Sequence, residues 1–463
     1  MDDTSNMKPL SMPHKVAIIA TISLLNLGLI YLIYNQNFVF GSYAGKWVYP
    51  YFGEIEPIPI WVLAASLVLL GFLVFVGEKL IQKHEGITIA GVFLISLLLQ
   101  LIVTSVHPIP LSVLVKSDLA NTFYSVSLEY SPTELLSHYQ DIAPTLLAHA
   151  RTNMPGKTIF FHLLGLFTSN PRIMAYLIIA FSTLGGLLIY GICMLLFKDR
   201  RTALYANILY ALVPAKLAFF PILNTVTPIF ILACLFFLLL FIHNHKIYWL
   251  VLLGMGLYLL ILFEPAPLPA GLIFIGVITY SLANRQIQIK HLGQIALITS
   301  ASFAVTYLLF LQVFRFDIFT AFNYVLDDVV AFNTRRGRSY WIWLGENLKE
   351  FFFATGIPVS MVFIYTFVYA VSRKLTSMKE LFLSHSENNY LYSLAATFAF
   401  VWLMNVNRGE TTRLWIYLSV FFQVPAAYVM GKHLKSSWLF FLMIVMLALQ
   451  SLVTLQRVQF MNP

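Results

Sequence analysis

The sequence predicts an all-α, polytopic transmembrane protein of about thirteen helices in a single domain spanning residues 1–463, and three observations lead there. Of its residues, 59% are hydrophobic and only 11% are charged, where a soluble domain carries roughly 25%. Apolar runs such as 87–106, 173–197, 295–314 and 438–455 reach or approach the ~20 residues that carry a helix across a hydrocarbon core about 30 Å thick. Short basic clusters recur at every second connection between runs. Inside a bilayer the backbone must satisfy its own polar groups, which makes such runs helices.

Taken in order, the runs place spans at about 16–36, 60–78, 87–107, 173–197, 202–221, 228–243, 247–263, 267–284, 293–313, 352–372, 389–406, 412–431 and 436–456. The first follows Lys8, His14 and Lys15, is full length and has no small-residue cleavage site, so it is expected to be retained. The basic clusters are Lys8 with Lys15, Lys79 with Lys83, Lys198/Arg200/Arg201, Lys246, Arg285 with Lys290, Arg373/Lys374/Lys379, and Lys432 with Lys435. Their alternation fits the positive-inside rule with the N-terminus cytoplasmic, and an odd number of spans leaves the C-terminus outside. The formal net charge of +9 then reports topology. No zinc-finger, phosphate-loop or RNA-binding signature is present, and no nucleic-acid partner is expected. The lack of an organelle retention tag or a glycosylation acceptor favours a bacterial cytoplasmic membrane, with membrane lipids as the surroundings.

The remaining polarity collects on the expected outer side. Two long loops lie there, 108–172 and 314–351. In the first, Ser131 followed by Glu134 forms a capping box, and Leu135, Leu136 and Tyr139 then share a face, so 131–140 reads as a short surface helix. The run 158–167 is too short for a comfortable span and reads as a second surface or partly embedded helix. Cys193 and Cys234 fall inside apolar runs and read as small core residues.

The pieces Ser117-Asp118-Leu119-Ala120, Arg151-Thr152-Asn153-Met154-Pro155-Gly156-Lys157 and Ser169-Asn170-Pro171-Arg172 together resemble the integral-membrane GT-C glycosyltransferases. That superfamily includes the dolichyl-phosphate-mannose-dependent protein mannosyltransferases and the lipid A aminoarabinose transferases. Leu223-Asn224-Thr225-Val226-Thr227-Pro228, Tyr340-Trp341-Ile342-Trp343 and Arg408-Gly409-Glu410-Thr411-Thr412-Arg413-Leu414-Trp415 are similar to stretches in bacterial proteins grouped with it. The resemblance implies a sugar transferred from a polyprenyl-phosphate donor to a glycan, lipid or protein acceptor at the outer face. Asp118 falls after the third expected span, whereas many members place their acidic loop after the first, so Glu54 and Glu56 in 37–59 are the alternative acidic segment. No acidic pair adjoins Asp118; a divalent cation, Mg²⁺ or Mn²⁺, would need oxygens from distant loops.

Such a reaction asks for a carboxylate near the acceptor hydroxyl, cations on the leaving phosphate and a groove for the isoprenoid. Asp118 is the expected base, with Glu129 in reserve; an ordinary helix cap is the competing reading of Asp118. Arg408 and Arg413 are expected on the phosphate, with Glu410 three residues before Arg413 holding it in place. Lys157, beside the Pro155-Gly156 turn, is the third candidate cation, and Arg335, Arg336 and Arg338 are further ones, with Asp327 and Asp328 adjoining them. Asn224, Thr227 and Glu264 are expected to line the cavity, and Lys216 is the expected ion-pair partner if Glu264 is structural. The rival classes are a polyprenyl-linked polysaccharide polymerase or ligase and a lipid or solute transporter. Pro214, Pro358 and Pro425 are compatible with the broken helices of a transporter, but the two halves share no repeat.

Overall fold

The computed structural model describes residues 12–373 and 385–462; Lys8, Lys374 and Lys379 of the expected basic clusters lie outside them. The described chain is almost wholly helical. Its one sheet among these residues is an antiparallel pair of two-residue strands, Gly41–Ser42 and Trp47–Val48.

Among the described residues, seven helices are long and apolar enough to cross a membrane: Lys15–Tyr34, Ile60–Ile81, Glu85–Thr104, Pro171–Phe197, Leu223–Asn244, Ile289–Phe314 and Ser437–Arg457. Several show large apolar side chains on their outer faces, as Val68, Ile87, Leu297 and Val313 do, which hydrocarbon solvates at no cost. This is the architecture of a polytopic helical membrane protein.

The expected thirteen spans are not all present as long apolar helices, and the shortfall has local causes. The run 202–221 divides into Arg200–Ala211 and Pro214–Ala218, because Pro214 has no N–H to continue the first helix and its ring disfavours helical geometry at Val213. Runs 247–263 and 267–284 form helices below spanning length, Tyr248–Phe263 and Leu268–Ala283. The run 352–372 is joined to the segment before it: Tyr340–Thr355 and Ile357–Ser372 meet at 109° across Gly356, and count as an eighth span only if taken together. The divided run survives because protein surrounds it: every residue of 202–228 is buried.

Neither expected outer loop is irregular. The segment 108–172 contains the helices Leu111–Lys116, Asp118–Glu129, Pro132–Ser137, Tyr139–Ile142, Ala148–Arg151 and Gly156–Gly165. Its capping box between Ser131 and Glu134 is formed as expected. The segment 314–351 consists of the helix Ile318–Arg335 and most of Tyr340–Thr355. Phe322, Val325, Leu326, Val329, Phe332 and Asn333 recur at the three- and four-residue intervals of one helical face, and that face is what becomes covered.

Candidate functional site

The stripe on Ile318–Arg335 faces Phe400, Val401 and Met404 on Ser386–Met404 across a cavity of about 350 Å³. One wall is thus apolar. The other is polar, with five charged side chains: Glu264, Arg338, Arg408, Glu410 and Arg413 line it together with His149, Trp415 and Tyr417.

The charged wall is built on the loop 405–411, held from below by Tyr340–Thr355. Asn347 donates to Asn405 Oδ1 and to the carbonyl of Asn407, both at 2.8 Å, and accepts from the Thr411 hydroxyl. Glu350 accepts from the Thr412 backbone at 3.2 Å, and Asn333 donates to the carbonyl of Val406 at 2.7 Å. Gly409 has φ +90°, and a Cβ there would lie 3.0 Å from the Trp343 ring and 3.1 Å from Arg338; both constraints call for glycine. The loop therefore presents Arg408, Glu410 and Arg413 in fixed positions.

Glu410 binds both Arg413 and Arg338. Burial alone would raise its pKa, but Arg413 and Arg338 outweigh that and hold the carboxyl below its ordinary value. Arg338 also donates to the carbonyl of Arg408, and Arg408 returns a bond to the carbonyl of Arg338 at 2.9 Å. The guanidinium of Arg338 sits over Trp47, Phe332 and Trp343 at 5.0–5.7 Å, a geometry that favours a cation. Three guanidiniums stand here beside one carboxylate, which pairs with two of them. Four N–H groups are left buried with no hydrogen-bond partner among the described residues: Arg338 Nε, Arg408 Nε, Arg413 Nε and Trp415 Nε1. A buried donor without a partner costs roughly 1–3 kcal/mol, and these four belong to residues that line one cavity.

Glu264 is placed differently. A Cβ on Gly156 would lie 2.4 Å from the carbonyl of Leu262, so glycine alone lets Gly156–Gly165 approach the end of Tyr248–Phe263 this closely. That approach sets Lys157 Nζ 3.0 Å from Glu264 Oε2. Asn224 donates to Oε1 at 3.0 Å, and Thr227 donates to Oε2. Burial lowers the pKa of Lys157, opposed by Glu264. The expected pairing of Lys216 with Glu264 is corrected: Lys157 takes that place, and Lys216 Nζ is fully buried 3.8 Å above the Tyr210 ring without a hydrogen bond.

Of the remaining expected site residues, Asp118 is exposed, opens the helix Asp118–Glu129 and accepts from Ser125. Asp118 does not line the cavity, and neither do Glu129, Glu54 and Glu56, all exposed. Arg335 and Arg336 face outward, Arg335 pairing with Asp328 at 2.7 Å, and Asp328 also meets Arg151 at 3.3 Å. Asn224, Thr227 and Lys157 stand behind Glu264 rather than in the wall. Among the described residues no three His, Cys, Asp or Glu side chains come together to hold a metal ion. The two cavity carboxylates are committed to cations, so the lining does not fit a divalent ion.

His149, Asn347 and Trp415 carry no local sequence signal for their roles. His149 Nε2 lies 2.8 Å from the carbonyl of Leu119 and 3.4 Å from Arg413 Nη1. Burial first, and Arg413 second, lower its pKa to about 4. The sequence pieces around Asp118, Lys157, Asn224, Trp343 and Arg413 thus meet around one site, while Asn170 serves elsewhere as the cap of Pro171–Thr183.

No family model matches the chain. No curated protein matches it either.

Proposed function

We propose that the protein is a glycosyltransferase that moves a sugar from a polyprenyl-phosphate donor to an acceptor at the extracytoplasmic face of a bacterial cytoplasmic membrane. The observation that carries the reading is the pairing of the four unpartnered N–H donors with an apolar wall in one cavity. A phosphate with a long isoprenoid tail is the lipid class whose chemistry matches both walls. Guanidinium N–H groups fit phosphate oxygens and stabilise charge as it develops on the leaving group. Leu326, Phe400 and Met404 line the cavity and are also 41–55% exposed, so the tail leaves between Ile318–Arg335 and Ser386–Met404 toward the bilayer.

In this reading Arg338, Arg408 and Arg413 hold the phosphate, Glu410 fixes two of them, and Lys157 pairs with Glu264 at the cavity edge. The N-terminus is cytoplasmic. The resemblance to the GT-C glycosyltransferases supports the same assignment on separate grounds.

The test is sugar transfer from radiolabelled polyprenyl-phosphate donors, using purified protein in lipid nanodiscs and native membrane extract as the source of acceptor. Transfer by the wild type, with loss in Arg413→Gln, is expected. Transfer only from pyrophosphate-linked oligosaccharides would move the protein to the polymerase or ligase class. Movement of lipid across the bilayer without sugar transfer would make it a transporter.

A further inference from the structure

We infer that His149 is the catalytic base of this transfer, taking the proton of the acceptor hydroxyl on Nδ1; the inference rests on the reading of the cavity as a lipid-phosphate site.

The assignment follows from what the lining residues have left to offer. Glu264 is bound by Lys157, Asn224 and Thr227, and Glu410 by Arg413 and Arg338. Arginines accept no hydrogen bonds, and the Tyr417 phenol ordinarily keeps its proton at neutral pH. His149 is the remaining titratable residue of the wall.

Its tautomer is fixed by geometry. Nε2 has two neighbours, the carbonyl of Leu119 at 2.8 Å, which only accepts, and the more distant Arg413 Nη1 at 3.4 Å, which only donates; the shorter contact puts the proton on Nε2 and leaves the lone pair on Nδ1. No described residue hydrogen-bonds Nδ1. The ring's own helix, Ala148–Arg151, is fixed by Asn153, whose side chain donates to the carbonyl of His149 at 2.8 Å. Asp118 precedes the residue whose carbonyl orients the ring, so the segment around it positions the base from outside the cavity.

The charged groups acting on the ring are Arg413 and Lys157, which disfavour its protonation, and Glu410, which favours it. An anionic phosphate bound at Arg413 offsets the nearest of those positive charges, raising the basicity of Nδ1 when donor is present. In the step itself, the acceptor O–H proton passes to Nδ1. The freed electron pair forms the new bond to the anomeric carbon, and the bond from that carbon to the phosphate oxygen breaks. Its electron pair leaves on the phosphate, against the arginines, and the imidazolium afterwards gives its proton to water.

The experiment compares His149→Gln, His149→Ala and Asp118→Asn in nanodiscs, measuring donor binding, kcat and its pH profile, and thermal unfolding. Glutamine retains a side-chain N–H for Leu119 and has no basic nitrogen. His149→Gln is expected to lower kcat at least ~100-fold, with donor binding held within about twofold of the wild type. The acidic limb of the kcat profile should disappear from its residual activity, and added imidazole should restore part of the rate to His149→Ala. A His149→Gln rate within about threefold of the wild type would overturn the assignment. So would a larger loss in Asp118→Asn, or a fall in donor binding that accounts for the whole effect. A wild type that binds the carrier lipid yet transfers sugar from none of its donors would overturn the transferase reading and the base together.

Discussion

Two clusters of arginines and carboxylates lie toward opposite ends of the Ser437–Arg457 helix, about 30 Å apart at 1.5 Å per residue, and they are built on opposite rules. At the Ser437 end the charges are matched one for one. Arg201 pairs with Glu78, Arg200 with Glu85 and Lys432 with Asp199. Tyr190, Tyr205, Ser437 and Thr202 donate to the same carboxylates. No side-chain nitrogen of these three cations is buried without a partner. At the Arg457 end, Arg338 and Arg413 share Glu410, Arg408 has no carboxylate, and each of the three leaves a buried N–H unpaired. The residue types are the same at both ends. Stoichiometry separates them: the matched set ties helices together, and the unmatched set leaves cationic donors over, which the proposed function assigns to an anion.

The largest effect is expected where a matched pair borders the unmatched site. Lys157→Met strands Glu264 as a buried unpaired carboxylate and should cost about 3–5 kcal/mol of stability, read as lower thermal midpoints and denaturant tolerance. Recovery of that loss in Lys157→Met with Glu264→Gln would identify the pair as structural.

The arginines sharpen the comparison next. Arg413→Gln or Arg338→Gln should lower transfer by roughly 10²–10³-fold, the range for removing one donor from a developing oxyanion. Arg201→Gln should leave phosphate-lipid binding unchanged and show its cost in unfolding alone. Equal losses of binding from both ends would break the distinction.

The pH dependence is a smaller effect with a fixed sign. His149 is held at about 4 in the folded protein, against an ordinary value of 6.5. The unfolded chain therefore binds the extra proton between those values, and stability falls as pH drops through that window. Glu410, held below its ordinary 4.5, adds stability that is present above that value and lost as pH falls through its lower folded pKa. His149→Gln should flatten the first window, checked by thermal unfolding from pH 7 to 4.

The smallest effects belong to the outward-facing charges. Arg336→Gln and Glu129→Gln should each change stability by less than about 0.5 kcal/mol, and neither should change donor binding.

Much of this arrangement is legible locally. The capping box at Ser131 and the Glu410–Arg413 pair both depend on neighbours within three residues. What escaped depends on residues far apart in the chain. His149 gains its role from Leu119 and Arg413, and Asn347 from a loop about 60 residues on; neither has a local signature. Lys216 and Lys157 are equally plausible partners for Glu264 on composition, and the close approach that only Gly156 permits decides between them. The helix Ile318–Arg335 was readable, since its apolar stripe keeps helical spacing, but its many charges drew the segment toward a loop. Fewer long apolar helices form than the thirteen expected spans because hydropathy does not distinguish lipid from a protein interior: the stretch 202–211, read as part of a span, is buried at every residue.

The most direct measurement is binding of polyprenyl phosphate, compared with the uncharged polyprenol of the same length, to wild type, Arg413→Gln and Arg338→Gln in nanodiscs by native mass spectrometry. The cavity described here predicts that the wild type retains the phosphate in strong preference to the alcohol, and that either substitution abolishes the preference. Equal retention of phosphate and alcohol by the wild type, or a preference that survives both substitutions, would contradict it.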